Sequence, residues 1–156
     1  MGEKARIAEQ LKRAFEGHAW HGPAVLQVLE GVAAKQASAR PIPGAHTIWE
    51  IALHVAVWKD VVRRRMNGEK FELSDAEDWP PPAVSKTTDA AWRAAIRALK
   101  ASHKKLLDTL EALPENRLGK SLVPGGSTGY VQLHGVIQHD IYHAGQIAVL
   151  KKGRPR

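Results

Sequence analysis

Between Thr88 and Pro114, Trp92, Ile96, Leu99, His103, Leu106, Leu110 and Leu113 recur at intervals of three and four residues. That spacing lays a single stripe along an α-helix and is the wrong period for a half-buried strand. A helix of this length cannot bury its stripe alone, so the rest of the chain must supply helices to pack on it. The remaining blocks have the same character. Residues 3 to 16 read as a first helix with Ile7, Leu11, Ala14 and Phe15 on one side. "GHAWHGPAVLQVLEGV" interrupts it at Gly17 and Gly22, and Pro23 suits a restart at a first helical turn. "RPIPG", Arg40 to Gly44, is a connector, because each proline biases its neighbour away from helix.

In "TIWE" the Thr47 hydroxyl and the Glu50 carboxylate can cap each other's backbone amides. That signature predicts a second helix from Ile48 to Asn67, stopped at Gly68. Residues 69 to 87, with "DWPPP", are too proline-rich for helix and predict a long crossover. Thr87 or Thr88 caps the third helix and Pro114 ends it. "LVPGGST" supplies a break and a cap at Ser127 or Thr128, and a fourth helix follows from about Tyr130 to Lys151, before Gly153 and Pro155. Period-two runs bounded by hairpin turns are nearly absent. The expected architecture is all-α: a four-helix bundle with a broken first helix and a proline-rich crossover between the second and third helices.

A length of 156 residues suits one domain over residues 1 to 156. No apolar run is long enough to cross a bilayer, and the charged N-terminal stretch lacks the apolar core of a secretory signal, so the expected address is the cytoplasm, with no membrane partner. The absence of cysteine excludes disulfides, thiolate metal sites and a protein thiol nucleophile. The net charge of +7 raises the question of an anionic partner. Its denser groups are Arg63, Arg64 and Arg65, then Lys104 and Lys105, then Lys151, Lys152, Arg154 and Arg156, near helix ends or the tail, where cations complement the helix dipole.

"QHDIYHAGQI" places His139 and His143 four residues apart on the fourth helix, so the two imidazoles project together from neighbouring turns. That helix is apolar around much of its circumference, which predicts that little of it faces water and that the pair is at least half buried. Buried imidazoles need partners, and a shared metal ion would satisfy both. The spacing is equally that of core histidines bonded to backbone carbonyls. His54, on the stripe of Ile51, Val55 and Trp58 in the second helix, is the available third ligand. Three neutral ligands leave the charge of a divalent ion intact and a coordination position open, the arrangement of a catalytic centre.

"HTIWEIALHVAVWKDVVRRRMNGE", followed by "HGVIQHDIYHAGQIAVLKK", resembles the DinB/YfiT-like superfamily of metalloenzymes over nearly the whole chain. The resemblance extends to the broken first helix with "AWHGP" and to the "DWP" crossover. It implies a four-helix bundle, often a homodimer, holding one divalent metal ion per chain on one histidine of the second helix and two of the fourth: His54, His139 and His143. Family members with assigned activity include thiol-dependent transferases and isomerases and proposed hydrolases.

Around these ligands, Gln146, Tyr142 and Asp140 can orient a ligand or substrate, while His21 and Trp20, at the break in the first helix, can line a pocket. Glu50 is a conceivable general base that its capping role already explains. His103 reads as a core-edge histidine bonded to backbone; His18, His46 and His134 suggest no role. Trp49, Trp58 and Trp92 read as core anchors, with Trp79 packing the crossover down.

The leading expectation is a metal-dependent enzyme in which a metal-bound water or thiolate, with no protein nucleophile, attacks a small electrophilic substrate, as a thiol S-transferase or a hydrolase. A low-molecular-weight thiol would be the cosubstrate. Zinc or nickel is the expected metal, with iron or manganese as alternatives, since three imidazoles suit several divalent ions. The competing expectation is a non-enzymatic stress-response module that binds nucleic acid or protein through its basic surface, any metal being structural. Only electrostatics supports that reading, with no helix-turn-helix and no aromatic-basic stacking pattern, so specific nucleic-acid binding is not expected.

Overall fold

The computed structural model describes residues 2–70, 72–82 and 87–153, and all regular structure among them is helical. The elements are α1 (Glu3–Phe15), α2 (Val25–Leu29), α3 (Ala34–Ser38), α4 (Ile48–Met66), α5 (Asp75–Asp78), α6 (Asp89–Ala112), a 3-10 turn (Glu115–Arg117) and α7 (Gly129–Lys152). The expected first, second, third and fourth long helices are α1, α4, α6 and α7. Arg154, Pro155 and Arg156 lie outside the described residues, as does part of the crossover.

The caps explain the boundaries. The Thr47 hydroxyl accepts from the Glu50 amide at 3.1 Å, and the Glu50 carboxylate accepts from the Thr47 amide at 2.8 Å. At the other end of α4, Gly68 takes φ +85°, a left-handed conformation that costs glycine nothing. The amides of Gly68 and Glu69 then return to the carbonyls of Arg65 and Arg64. Thr88 and Thr128, rather than the neighbouring Thr87 and Ser127, cap α6 and α7.

Two expectations need correction. Pro23 does not open a helical turn: α2 begins at Val25 behind an Ala24 cap, and the break after α1 contains two short helices rather than a continued one. The crossover is not free of helix, because Ser74 and Glu77 form a second capping box that starts α5. Pro80 then pulls Trp79 out of the helical region, to φ −119° and ψ 68°.

α4 packs along both α6 and α7, and α1 lies against α7 and α6. Ile51 lies near Val149, His54 meets His139 and Arg65 meets Gln132, so α4 and α7 run antiparallel. The apolar interior forms two clusters rather than one. The first joins Phe15, Val25, Ile48, Ile51, Trp92, Leu99 and Ile147; the second joins Ile7, Leu11, Val62, Leu106, Leu110 and Leu133. Between them along α4, α6 and α7 lies a layer of buried or half-buried polar side chains: His54, Lys59, His103, His139, Asp140 and His143. Burying polar groups in this way is costly unless they are paired, hydrogen-bonded or ligated.

Candidate metal centre

His54 sits two turns into α4, on a phase set by the Thr47 cap, and His139 and His143 rise from consecutive turns of α7. The antiparallel packing brings the three rings together. His139 Nε2 is 2.9 Å from His54 Nε2 and 3.1 Å from His143 Nε2, and one ligand atom from each of the three lies within 4.8 Å of the others. His54 and His143 are buried and His139 is half buried.

The outward-facing nitrogens set the tautomers. His54 Nδ1 donates to the Asp78 backbone carbonyl at 2.8 Å, and His143 Nδ1 donates to Gln146 Oε1 at 2.6 Å. A proton on each Nδ1 leaves the Nε2 atoms of His54 and His143 as bare lone pairs. Both point at His139 Nε2, which can share at most one proton. His139 Nδ1 is buried and has no partner. More lone pairs than protons therefore face one point, and a cation resolves that conflict.

Electrostatics keep the cluster neutral. Burial pushes His139 down to about 3, reinforced by His143 and His54, and pushes His143 down to about 4. His54 is also lowered by burial, against the pull of Asp78 upward. Neutral imidazoles are the form that ligates metal. At bonds of about 2.1 Å, donors around one ion are separated by roughly 3.0 to 3.4 Å, close to the 2.9 and 3.1 Å that separate His139 Nε2 from the other two rings. The donor set is the nitrogen set that zinc, nickel and iron accept.

The crossover closes one side of the cluster. α5 delivers Asp78, whose carboxylate accepts from Trp58 Nε1 at 2.7 Å and lies 3.2 Å from His54 Nδ1. Trp79 stacks on the His54 ring at 3.8 Å and 2°, and His46 stacks on Trp79 at 3.5 Å. Two cavities lie near the cluster, one lined by His139 itself and one by Gln146, the partner of His143. One of about 430 Å³ includes Gln146 and His46 in its lining; one of about 240 Å³ includes His139, Trp58 and Arg65.

The other candidate residues fall in different places. Gln146 holds His143, and Tyr142, though 64% exposed, sets its ring edge-on to His143 at 5.1 Å. Asp140 is fully buried but faces away from the histidines, accepting from Lys59 Nζ at 2.5 Å. Trp20 and His21 are exposed, Trp20 completely, and neither reaches the cluster. Glu50 is held by its cap and by Arg40. His103 does not bond to backbone: it stacks on Phe15 at 4.0 Å, neither ring nitrogen has a hydrogen-bond partner, and Glu16 stands off at 3.7 Å. The fourth long helix is also less covered than expected, with Tyr130, Val131, Ile141, Tyr142 and Val149 exposed. Lys104 and Lys105 lie inside α6 rather than at its end.

Sequence reasoning missed Asp78 as the acceptor for His54, the ring stack of Trp79 and the burial of Lys59. The serine and glutamate of the Ser74–Glu77 box were the available signal that a structured turn precedes "DWP".

Among the described residues, helices alone carry the structure, and three histidines from two long helices converge in a group that could hold a metal ion. The description of the DinB superfamily matches residues 19–147, and the chain belongs to that superfamily. Neither a curated protein nor a solved structure gives a significant match. No described helix is long and apolar enough to cross a membrane.

Proposed function

We propose that His54, His139 and His143 bind one divalent metal ion through Nε2, zinc or nickel before iron or manganese, in an enzyme that acts on a small electrophilic substrate. The reaction is thiol S-transfer or hydrolysis. The observation that carries this reading is the convergence of three neutral Nε2 atoms while the Nδ1 atoms of His54 and His143 are tied to oxygen. When bound, the ion would supply Lewis acidity, polarising an electrophile and acidifying a water or thiol near neutral pH.

The chain's own residues prepare that chemistry. Three neutral ligands leave the ion's charge undiminished. Asp78 and Gln146 hold two of the rings in the required tautomer and orientation. Trp79 covers the His54 face and Trp58 ties down Asp78, so water is excluded on the crossover side. With no cysteine in the chain, any thiol comes from a cosubstrate. Part of the basic surface is already matched by carboxylates, as in Arg63–Asp60, Arg64–Glu69 and Lys104–Asp108, which weakens the case for a nucleic-acid module. The proposal includes a homodimer, whose contact would cover exposed apolar side chains of α7 such as Val131 and Val149.

The test compares metal-loaded with stripped protein in two assays: conjugation of 1-chloro-2,4-dinitrobenzene to L-cysteine, and hydrolysis of p-nitrophenyl acetate. Metal-dependent turnover in either, lost in His143→Ala, is the expected result. Identical rates with and without metal, accompanied by a lower melting temperature on stripping, would assign the ion a structural role instead.

A further inference from the structure

Three consecutive arginines close α4, and they have different fates. Arg63 Nε donates to Asp60 at 2.8 Å and Arg64 Nε to Glu69 at 2.7 Å. Arg65 turns instead toward α7. Its guanidinium lies over Trp58, 5.8 Å from the ring centroid, and one amino group donates to Gln132 Oε1 at 3.3 Å. Among the described residues no carboxylate lies within 4.0 Å of it. A half-buried guanidinium held by a ring and one long neutral bond retains most of its donor capacity.

Arg65 forms one end of the 240 Å³ cavity between α4 and α7, and His139 forms the other. Trp58 and Val62 make an apolar wall, and Gly135 leaves the facing side open. Gln132 and His139 are seven residues apart on α7, or about 10 Å along the helix axis. The volume is on the order of eight water molecules, at roughly 30 Å³ each, which suits a small organic molecule and not a polymer.

We infer that this cavity is a binding site for a small organic acid: its carboxylate sits on Arg65 beside Gln132, its apolar body lies along Trp58 and Val62, and its far end is presented to the histidine cluster. The planar fork of an arginine matches a carboxylate with two parallel bonds, which a lysine would not. The inference rests on the proposed metal enzyme, for which it names the substrate class.

The probe is 3-phenylpropanoate, with its neutral amide 3-phenylpropanamide as control, titrated into metal-free protein and followed by the NMR signals of the Trp58 indole N–H and the Gly135 amide. Both signals are expected to move, with the acid binding at least tenfold more tightly than the amide. Arg65→Met should abolish that preference. Gly135→Phe, whose added side chain meets no atom within 4 Å at its Cβ, should fill the cavity and weaken binding of both compounds at least tenfold. Equal binding of acid and amide to the natural chain, unchanged acid binding in Arg65→Met, or shifts confined to other residues would overturn the site. Zinc stoichiometry is measured separately on the same preparations. Loss of zinc binding with the acid site intact would defeat the metal reading alone, and normal zinc binding without an acid preference would defeat only this one.

Discussion

His139 and Asp140 are neighbours in sequence, yet they belong to two different halves of the polar layer that separates the apolar clusters. His139, with His54 and His143, turns Nε2 atoms toward one shared point, and His139 lines a cavity. Asp140, with Lys59, is sealed at 0% exposure, and Phe15 covers the ammonium with its ring centroid 4.4 Å away. Successive helical residues point about 100° apart, so one turn of α7 serves both halves. The contrast separates chemistry from architecture. The histidine half is built to be completed from outside, whereas the lysine half is charge-paired within the chain through Asp140 Oδ2, with Asp140 Oδ1 left without a hydrogen-bond partner, and fastens α4 to α7 at the level of the cluster. Burial drives Lys59 downward and Asp140 upward, and each opposes the other's shift.

Breaking the sealed half should have the largest effect. Lys59→Met leaves Asp140 buried without its counter-charge, and loss of one partner of a buried pair costs about 3–5 kcal/mol. Urea unfolding of metal-free protein should show that loss, and Lys59→Met with Asp140→Leu should recover most of it. A single variant as stable as the natural chain would mean the pair is not the fastening described.

Changing the open half should do the reverse. His143→Ala should weaken zinc affinity by at least about a hundredfold, more than loss of an outer partner does, while urea unfolding of the metal-free form changes little. Calorimetric titration with zinc checks the first part. One step further out, Gln146→Leu should weaken zinc by about 10- to 100-fold, because the His143 ring loses the acceptor that fixes its tautomer. If Gln146→Leu binds zinc like the natural chain, the orienting role fails while the ligand assignment stands.

His103 gives the smallest effect and sharpens the comparison, since it is a buried histidine without a guest or a partner. Burial holds it at about 3 in the folded chain, below its ordinary 6.5, with Lys59 adding to the push. As pH falls from about 6.5 toward 3 the unfolded chain takes up a proton that the folded chain refuses, so stability is lost through that window and is fully present above it. His103→Leu removes both this liability and an unsatisfied buried ring. It should stabilise the chain by about 1 kcal/mol at pH 8 and by more at pH 5, read from unfolding midpoints at the two values. A smaller gain at pH 5 than at pH 8 would contradict the sign.

Much of this was legible in the sequence where the signal is local. The Thr47–Glu50 cap, the stop at Gly68 and the stripe from Trp92 to Leu113 depend on neighbours within a few turns, and the helices follow from them. The histidines were legible because i and i+4 share a face and His54 lies on an apolar stripe. Lys59 was not, since lysine defaults to the surface and its partner is 81 residues away. Nor was the hold on His54, because the acceptor is a backbone carbonyl, which any residue at position 78 would provide, and only the packing of α5 on α4 brings it there. Trp20 shows the limit of local signal: an aromatic at a helix break fits either a pocket wall or an ordinary loop, and a turn at the surface leaves it in water.

The most direct measurement is elemental analysis of untagged protein purified without chelator, expressed as metal per chain, for the natural sequence and for His54→Ala, His139→Ala and His143→Ala. About one divalent ion per chain in the natural protein, and much less in each variant with helical content retained, is the expected result. A natural chain that stays metal-free after incubation with zinc, nickel, iron and manganese, or three variants that keep full metal, would show that the histidine cluster is not a metal centre.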